Sequence, residues 1–356
     1  MLKTVAVIEG DDAAPEAMRP VVEFLGSLNI GLEFVYPVVG EAAEAATGDI
    51  FPAEAREMID RADTTFFGST SGKSGAALTY LRWGKGTFAN VRPCVHLPGC
   101  ASPLANPEGI DFAIVRENLE DLYVGCEGPL GDLAPLNLSG RTIRRPVHDL
   151  GEGRYAIKAI TRAGTERIVR FAFDLARRRR RQDPSRSPKV TCATKHNMLR
   201  GSDGFFLEVA QEVAEDNADV EFESFIVDDF ACRLIREPQR LDVVVMPNLY
   251  GDILSDAAGG LLGSLGLAPS GCYGDDYAYF EPAHGTAPDI AGRNIINPTA
   301  ALLSATMMLD HLGFERAARR IEDAVLRVYA DGRALTPDQG GEASTTTFCD
   351  AVAAAL

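Results

Sequence analysis

The sequence predicts an α/β protein built on a largely parallel sheet. Short apolar runs rich in β-branched and aromatic residues alternate with segments whose apolar residues recur at helical spacing. Such alternation is typical of strands joined by crossover helices. The predicted strands are residues 4–8, 64–67, 112–116, 189–193, 220–227 and 241–246. The predicted helices are residues 16–28, 52–61, 168–181, 204–217, 298–312 and 314–329.

Length and charge narrow the functional classes. A chain of 356 residues is long enough for two lobes or one large elaborated domain. Its 46% hydrophobic content is that of an ordinary globular protein. The formal net charge of −16 argues against nucleic acid or an anionic membrane as a partner. An anionic small molecule must therefore be met by a local cluster of Lys, Arg or metal.

The cysteines and the N-terminus predict a cytoplasmic location. The chain has seven cysteines, an odd number, and no C-x-x-C pair. This usage is typical of reduced thiols in an intracellular protein. The first residues, MLKTVAVIEGDD, carry acids where a signal peptide has a long apolar run, and no segment is long enough for a membrane span.

Residues 68–75, GSTSGKSG, follow a predicted buried strand and suggest a phosphate-binding loop. A nucleotide P-loop needs four residues between its two glycines, whereas Gly68 and Gly72 enclose three. The P-loop interpretation is therefore disfavoured. A flexible solvated turn and a loop for some other anion remain open.

Two aspartates after the strand at 241–246 suggest a divalent metal site. Asp252 and Asp256 are four residues apart and share one face if the segment is helical. Converging carboxylates repel unless a cation lies between them, and Mg²⁺ prefers oxygen ligands. A third carboxylate is available at Asp228. The alternative is a pair of surface aspartates at the start of a helix.

Cations near predicted strand ends suggest a carboxylate-binding site. Arg82, Arg92 and Arg116 lie where sites are commonly built, and three arginines with a metal bind a polycarboxylate through bidentate contacts. Lys195 directly follows a predicted strand and suits a general base or acid, and Tyr123 suits a proton donor. Taken singly, each is more often a solvated or structural side chain.

The stretch 281–292, EPAHGTAPDIAG, contains small residues that allow a flat ligand to approach closely. It also contains acids able to hold a ribose diol. The dinucleotide pattern G-x-G-x-x-G is absent from this stretch, so the residues alone give only a weak cofactor signal.

Four long motifs resemble the β-decarboxylating dehydrogenases, which include isocitrate, homoisocitrate, 3-isopropylmalate and tartrate dehydrogenases. The motifs are VRENLEDLYVG, ATKHNMLRGSDGFF, VVVMPNLYGDILSDAAGGLLGSLGLAPS and FEPAHGTAPDIAGRNIINPTAALLSA. The resemblance extends over about residues 4–312. It implies a non-Rossmann fold with a large discontinuous α/β domain from residues 1–100 and 250–356. Residues 101–249 would form a smaller α/β domain carrying a dimerisation arm, for which residues 155–167 offer an antiparallel unit.

The resemblance also assigns roles. Arg82, Arg92 and Arg116 would hold substrate carboxylates, and Lys195 and Tyr123 would be catalytic. Asp228, Asp252 and Asp256 would hold Mg²⁺ or Mn²⁺, with Lys195 and Asp228 supplied by the second subunit of a homodimer. The cofactor contacts would be Asn197, His284, Gly285, Thr286, Ala287, Asp289, Ile290 and Asn297. The pair Asp289-Ile290 indicates NAD, because a carboxylate accepts a ribose 2′-hydroxyl and repels a 2′-phosphate.

Two departures from the family pattern bear on specificity. The usual N-terminal GDGIGPE is here GDDAAPE, residues 10–16. The Ser and Asn with which isocitrate enzymes bind the γ-carboxylate are replaced by Ala76 and Leu78, while isopropylmalate enzymes line this helix with leucines. The loop before the helix instead offers Ser69, Thr70, Lys73 and Ser74, which predict an anionic side group on the substrate.

The expected substrates are isocitrate or homoisocitrate first, 3-phosphonomethylmalate second and 3-isopropylmalate third. Two other classes remain: a non-catalytic regulatory subunit of the same fold, and a P-loop nucleotide hydrolase. The complete set of arginines, aspartates, lysine and tyrosine argues against the regulatory subunit.

Overall fold

A computed structural model describes residues 2–356 and contains one ten-stranded sheet, which confirms the predicted α/β class. The order of its strands is β2-β1-β3-β12-β11-β4-β5-β10-β8-β9. These strands are β1 (Lys3–Ile8), β2 (Leu32–Val35), β3 (Thr64–Phe67), β4 (Ala89–Val95), β5 (Asp111–Glu117), β8 (Lys189–Thr194), β9 (Glu221–Ile226), β10 (Val243–Met246), β11 (Pro269–Tyr273) and β12 (Ala278–Pro282). A separate two-stranded sheet pairs β6 (Glu127–Pro129) with β7 (Arg154–Ala156).

Helices cover both faces of the large sheet. They are α1 (Ala14–Ser27), α2 (Gly40–Thr47), α3 (Ala53–Arg61), α4 (Gly75–Thr79), α5 (Arg162–Gln182), α6 (Asp203–Glu215), α7 (Val227–Arg236), α8 (Asn248–Leu262), α9 (Thr299–His311), α10 (Glu315–Asp331) and α11 (Thr345–Ala354). A π-helical turn, Tyr80–Gly84, continues α4. Short 3-10 turns occupy Leu122–Val124, Leu130–Leu136, Val147–Leu150, Pro238–Arg240, Leu265–Leu267, Pro288–Ile290 and Pro337–Gln339.

The sheet has two parallel wings and an antiparallel centre. Strands β2, β1, β3 and β12 run parallel to one another, as do β5, β10, β8 and β9. Between the wings, β12–β11, β11–β4 and β4–β5 are antiparallel. This order differs from the doubly wound Rossmann sheet. The antiparallel centre is where polar residues from both parts of the chain meet.

The buried core is divided between the two wings. Two clusters, built around Phe66 with Phe280 and around Phe67 with Tyr279, combine residues from both chain ends. Two others, around Phe173 and Phe112, draw mainly on the middle of the chain. This distribution resembles the predicted division into one domain of residues 1–100 plus 250–356 and another of residues 101–249. That division stays a prediction.

The prediction of an antiparallel unit at residues 155–167 is wrong. Residues 162–167 are the first turns of α5, and the Thr161 hydroxyl caps that helix by accepting a hydrogen bond from Gly164 N. The antiparallel pairing in this region is instead between β7 and the earlier strand β6. A local cap therefore outcompetes the hairpin suggested by Arg162-Ala163-Gly164.

The segment between β6 and α5 exposes several large apolar side chains, including Leu136 and Leu138. This segment includes residues 155–161, the first part of the stretch predicted to form the arm. Among residues 2–356, none of the helices has both the length and the apolar character required to cross a bilayer. All seven cysteines have free thiols.

Candidate active site

Two of the predicted arginines lie on neighbouring antiparallel strands at the centre of the sheet. Arg92 on β4 and Arg116 on β5 are buried, with side chains 7% and 1% exposed. Asn90, two residues before Arg92 and on the same face, lies directly opposite Arg116. The alternation of strand side chains therefore places both guanidinium groups on one face of the sheet.

The predicted metal-binding aspartates face these arginines from α8. Arg92 Nη1 donates to Asp256 Oδ1 at 3.2 Å, and Arg116 Nη1 pairs with Asp252. Burial raises the pKa of Asp256, and the nearby Asp252 adds to the rise, although Arg92 opposes it. Burial lowers the pKa of Arg116 against the pull of Asp252. The segment is helical, which was the condition for Asp252 and Asp256 to share one face, and their one-turn spacing brings the carboxylates together.

Tyr123 completes this group. Its hydroxyl donates to Asp252 Oδ2 at 2.8 Å, and its ring lies under the Arg116 guanidinium at 5.4 Å. Burial and the hydrogen bond to Asp252 raise the pKa of Tyr123, so the hydroxyl holds its proton firmly at neutral pH.

The two carboxylates on α8 suit a divalent metal in part. Their oxygen ligands are of the type Mg²⁺ and Mn²⁺ prefer, and a cation would stabilise the ionised form of Asp256, whose pKa is raised by burial and further by the nearby Asp252. Within residues 2–356, however, no group of three or more His, Cys, Asp or Glu side chains is arranged to hold a metal ion. The third predicted ligand, Asp228, lies elsewhere.

Lys195 and Asp228 form a separate pair at the ends of two neighbouring parallel strands. Lys195 follows β8, and Asp228 lies in the first turn of α7, directly after β9. The ammonium donates to Asp228 Oδ1 at 2.5 Å, and this bond lowers the pKa of Asp228. The Asp228 side chain is 67% exposed. Asn197 lies exposed on the same turn as Lys195.

The 68–75 loop is wrapped around a carboxylate of the chain itself. Asp11 Oδ2 accepts hydrogen bonds from the hydroxyls of Thr70 (2.7 Å) and Ser74 (2.6 Å) and from the amides of Ser71 and Gly72 (both 3.1 Å). Burial pushes the pKa of Asp11 upward, but these four bonds outweigh it and lower the pKa. The loop is thus an anion cradle, and its anion is internal.

The two departures from the family pattern touch each other. Asp12, which replaces a glycine, has φ +53° and accepts a hydrogen bond from Ser71 Oγ at 2.9 Å. A left-handed conformation is tolerated better by Asp than by most residues. Lys73 points away from this contact and pairs with Glu44 on α2, both side chains being nearly half exposed.

The 68–75 loop also contacts the loop predicted to bind the cofactor. Ser69 Oγ donates to the carbonyl oxygen of His284 at 2.5 Å. Ala13 N, in the altered N-terminal turn, donates to Thr286 O at 3.0 Å. Burial lowers the pKa of His284, which keeps its ring neutral at pH 7. The N-terminal turn, the 68–75 loop and the 283–292 loop therefore form one continuous surface.

The other predicted cofactor residues differ in exposure. Gly285 and Asp289 are exposed, Ala287 and Ile290 half-buried, and Asn297 only 4% exposed. Asn297 Nδ2 donates to Asp338 Oδ2 at 3.0 Å, and its Oδ1 accepts from Thr299 N, so its amide ties the start of α9 to the C-terminal region. The exposed Asp289 carboxylate, on the 3-10 turn, is the acid available to a ribose.

Sequence reasoning missed the buried residues that hold the arginines. Asn90, Tyr279 and Asn248 each accept a hydrogen bond from one arginine, and Arg82 Nη2 lies 3.6 Å from Glu281 Oε1. A signal existed for Asn90, because a residue two positions from Arg92 on a strand shares its face. Tyr279 and Asn248 are distant from their arginines in sequence, and no local pattern indicates them.

Comparisons with known proteins show the family of the chain. A sequence profile of the family described as isocitrate/isopropylmalate dehydrogenase matches residues 4–352. The 3-isopropylmalate dehydrogenase of Archaeoglobus fulgidus is 38% identical over the whole of both chains. The isocitrate/homoisocitrate dehydrogenase of Thermus thermophilus is 40% identical over 100% of this chain and 99% of its own.

A solved structure extends the similarity to three dimensions. The isocitrate dehydrogenase from Methylococcus capsulatus superimposes with a TM-score of 0.86 at 35% identity, covering 99% of each chain. The antiparallel centre of the sheet, the facing arginines and aspartates, and the match over nearly the full length lead to one conclusion. The chain is an enzyme and belongs to the isocitrate/isopropylmalate dehydrogenase family.

Proposed function

We propose that the protein catalyses the metal- and NAD-dependent oxidative decarboxylation of a 2-hydroxy-3-carboxy acid that carries a third, anionic substituent. The observation that carries this proposal is the group of buried arginines facing Asp252 and Asp256. In a chain of net charge −16, three guanidinium groups lie together here, balanced by Asp252, Asp256 and Glu281, and a divalent cation at the aspartates would make the site cationic and suited to a polycarboxylate.

The arginines and the carboxylates are paired with each other, and this pairing is exchangeable. A divalent cation held by Asp252 and Asp256 would compete with the arginines for these carboxylates, which would leave the terminal nitrogens of Arg92 and Arg116 free for substrate carboxylates. The guanidinium group of Arg82, whose side chain is 17% exposed, lies beside β12 and adds a third pair of terminal nitrogens. Bidentate contacts from these groups fix the substrate in one orientation.

In this orientation Lys195, as the neutral amine after its ammonium has given up a proton, would accept the proton of the substrate hydroxyl as hydride leaves the same carbon for bound NAD. A divalent metal held by Asp252 and Asp256 would polarise the oxygen that becomes the ketone. The β-carboxylate then leaves as CO₂, and Tyr123 donates a proton to the resulting enolate. The balance is hydroxy acid plus NAD⁺ giving oxo acid, CO₂ and NADH.

The site requires two subunits. Lys195 and Asp228 pair with each other at the far wing of the sheet, and a homodimer would bring this pair to Asp252 and Asp256 of the other subunit. The exposed apolar side chains between β6 and α5 supply surface for such a dimer. Each subunit then contributes three residue types to its partner's chemistry: a base, a metal ligand and, at Asn197, a cofactor contact.

An anionic substituent is supported by Lys73. Its ion pair with Glu44 joins two exposed side chains, and solvent screens such pairs strongly, so a substrate anion can replace Glu44. A carboxylate, as in isocitrate or homoisocitrate, and a phosphonate, as in 3-phosphonomethylmalate, both fit this description.

The second candidate is 3-isopropylmalate. It is favoured by the commitment of the Thr70, Ser71, Gly72 and Ser74 donors to Asp11, which leaves Lys73 as the cation that the loop can offer. Ala76 and Leu78 on α4 are half-buried against apolar neighbours and suit an alkyl group. Relatives named for 3-isopropylmalate and for isocitrate/homoisocitrate are about equally similar to this chain.

The test is NADH formation by the purified chain with Mn²⁺, comparing isocitrate, homoisocitrate, 3-phosphonomethylmalate and 3-isopropylmalate. We expect turnover of an anionic member, loss of activity after metal chelation, and recovery when Mg²⁺ or Mn²⁺ is returned. Activity confined to 3-isopropylmalate would replace the first candidate by the second. Absence of any metal-dependent NAD reduction by the chain alone would favour the regulatory subunit.

The role of Lys73 is tested with Lys73→Met against the matched variant Glu44→Gln. If Lys73 binds the substituent, Lys73→Met raises KM for the anionic substrate, whereas Glu44→Gln frees the ammonium and lowers it or leaves it unchanged. Equal effects of the two variants would assign the pair a structural role.

The role of Asp289 is tested by comparing the rates of reduction of NAD and NADP. We expect NAD to be preferred.

A further inference from the structure

Each of the three arginines is held from behind through the same atom. The Nε–H, which is the nitrogen nearest the chain, donates to a buried side chain, so that the two terminal nitrogens remain for other contacts. The three bonds are Arg82 Nε to Tyr279 Oη (3.2 Å), Arg92 Nε to Asn90 Oδ1 (2.9 Å) and Arg116 Nε to Asn248 Oδ1 (2.7 Å).

Two of these anchors lie in one row across the antiparallel centre of the sheet. Tyr279 on β12 is opposite Cys272 on β11, Cys272 is opposite Asn90 on β4, and Asn90 is opposite Arg116 on β5. All four side chains are at most 1% exposed. Asn90 Nδ2 also donates to Cys272 Sγ at 2.8 Å, which links neighbouring members of the row.

The third anchor connects the row to the aspartates. Asn248 is the first residue of α8, and its Nδ2 donates to the carbonyl of Glu120 at 3.1 Å. Its Oδ1 holds Arg116, whose Nη1 reaches Asp252 one turn further along the same helix. A planar guanidinium with Nε fixed has its fork direction set by the protein before any ligand arrives.

We propose that Tyr279, Asn90 and Asn248 are positioning residues that aim the forks of Arg82, Arg92 and Arg116 at the substrate carboxylates. This inference rests on the proposed function, since it assigns the arginines to the substrate. Misplacement of a binding group by even 1 Å costs large factors in rate. Preorganised arginines avoid that loss, because little side-chain freedom remains to be removed when the substrate binds.

The cleanest variant is Tyr279→Phe, which removes the hydroxyl that accepts from Arg82 and donates to Glu281 Oε1 at 3.4 Å. Its matched control is Tyr277→Phe, two residues earlier and just before β12. The buried hydroxyl of Tyr277 is hydrogen-bonded to Thr65 at 2.7 Å and contacts no arginine. We expect Tyr279→Phe to raise substrate KM about tenfold, the usual effect of losing a hydrogen bond to a charged group. The KM for NAD should change less than about twofold in either variant.

A rise in substrate KM of equal size for Tyr277→Phe, or no rise for Tyr279→Phe, would overturn the inference. Because the loss of a buried hydroxyl can also destabilise the fold, a second variant, Asn90→Ser, tests the anchor of Arg92. The KM for the substrate and the KM for NAD are measured for it in the same way. An unchanged substrate KM in folded Asn90→Ser would likewise overturn it. A wild type inactive toward every acid tested would count against the proposed function and not against the anchoring.

Discussion

The buried centre of the site and its exposed edge are built in opposite ways. At the centre, Arg92 and Arg116 are 7% and 1% exposed, and each has both a buried anchor and an aspartate partner. At the edge, Lys195 and Asp228 are 30% and 67% exposed and pair with each other. At the centre, one chain supplies both the arginines and all their partners. At the edge, Lys195 and Asp228 lie at the surface, where a second subunit could contact them.

The largest expected effect concerns the edge. Lys195→Met removes the proposed base while keeping most of the side-chain volume, and we expect kcat to fall by about 10²–10⁴-fold, the range for general acid–base groups. The measurement is steady-state NADH formation. Because the side chain is partly exposed, the melting temperature should change little. A variant that keeps wild-type kcat would show that Lys195 is not the base.

A complementation experiment tests whether edge and centre belong to different subunits. Lys195→Met and Asp252→Asn chains, each inactive, are mixed under conditions that exchange subunits. Half of the dimers are then hybrids with one intact site, so we expect about a quarter of wild-type activity from a symmetric dimer with shared sites.

The control for this mixture is Lys195→Met with Asp228→Asn, two variants of the same edge. Its hybrids carry one defect in each site and should stay inactive. Recovery in both mixtures, or in neither despite proven subunit exchange, would contradict the shared site.

Asp11 and Asp12 compare a carboxylate enclosed by hydrogen-bond donors with an exposed one. Asp11→Asn keeps one acceptor oxygen for the four donors but removes the negative charge that strengthens their bonds, and we expect the free energy of unfolding to fall by about 1–3 kcal/mol. Asp12→Asn alters one exposed contact, tolerates the same φ, and should cost at most about 0.5 kcal/mol. Denaturant unfolding measures both. Equal losses would show that the cradle does not stabilise the 68–75 loop.

An effect on stability similar in size to that at Asp11, but dependent on pH, is expected at Glu117, beside Arg116 on β5. Burial raises the pKa of Glu117 from 4.5 to about 7. The folded state therefore disfavours the ionised form, so this residue's contribution to stability falls as pH rises above 4.5 and is at its lowest above about 7.

Glu117→Gln keeps an acceptor for the amides of Leu119 and Glu120 without the charge. We expect the variant to be more stable than wild type by about 1–3 kcal/mol at pH 8, with the difference shrinking toward pH 5. The exposed Glu208→Gln on α6 is the control and should show no such trend. A constant difference across this range would mean that Glu117 does not titrate there.

Several features followed from the sequence because they are local. Periodicity was enough to predict the α/β class, and the four-residue spacing of Asp252 and Asp256 was enough to say that they share a face if the segment is helical, since a one-turn spacing needs no tertiary contact. The long motifs were enough to predict the family, which the comparisons confirm. The same local reasoning failed at residues 155–167, where the Thr161 cap begins α5 in place of the expected hairpin.

Features that depend on which distant segments meet were decided only by the tertiary structure. The residues GSTSGKSG predicted an anion cradle, but the identity of its anion, Asp11, depends on a turn about sixty positions away in the chain. The antiparallel centre aligns Tyr279, Cys272, Asn90 and Arg116 through strand register. The sequence determined which charged and polar groups the protein has. Long-range pairing decided which of them are bound inside the chain and which remain available, because hydrogen-bond partners are chosen by distance in space and not along the chain.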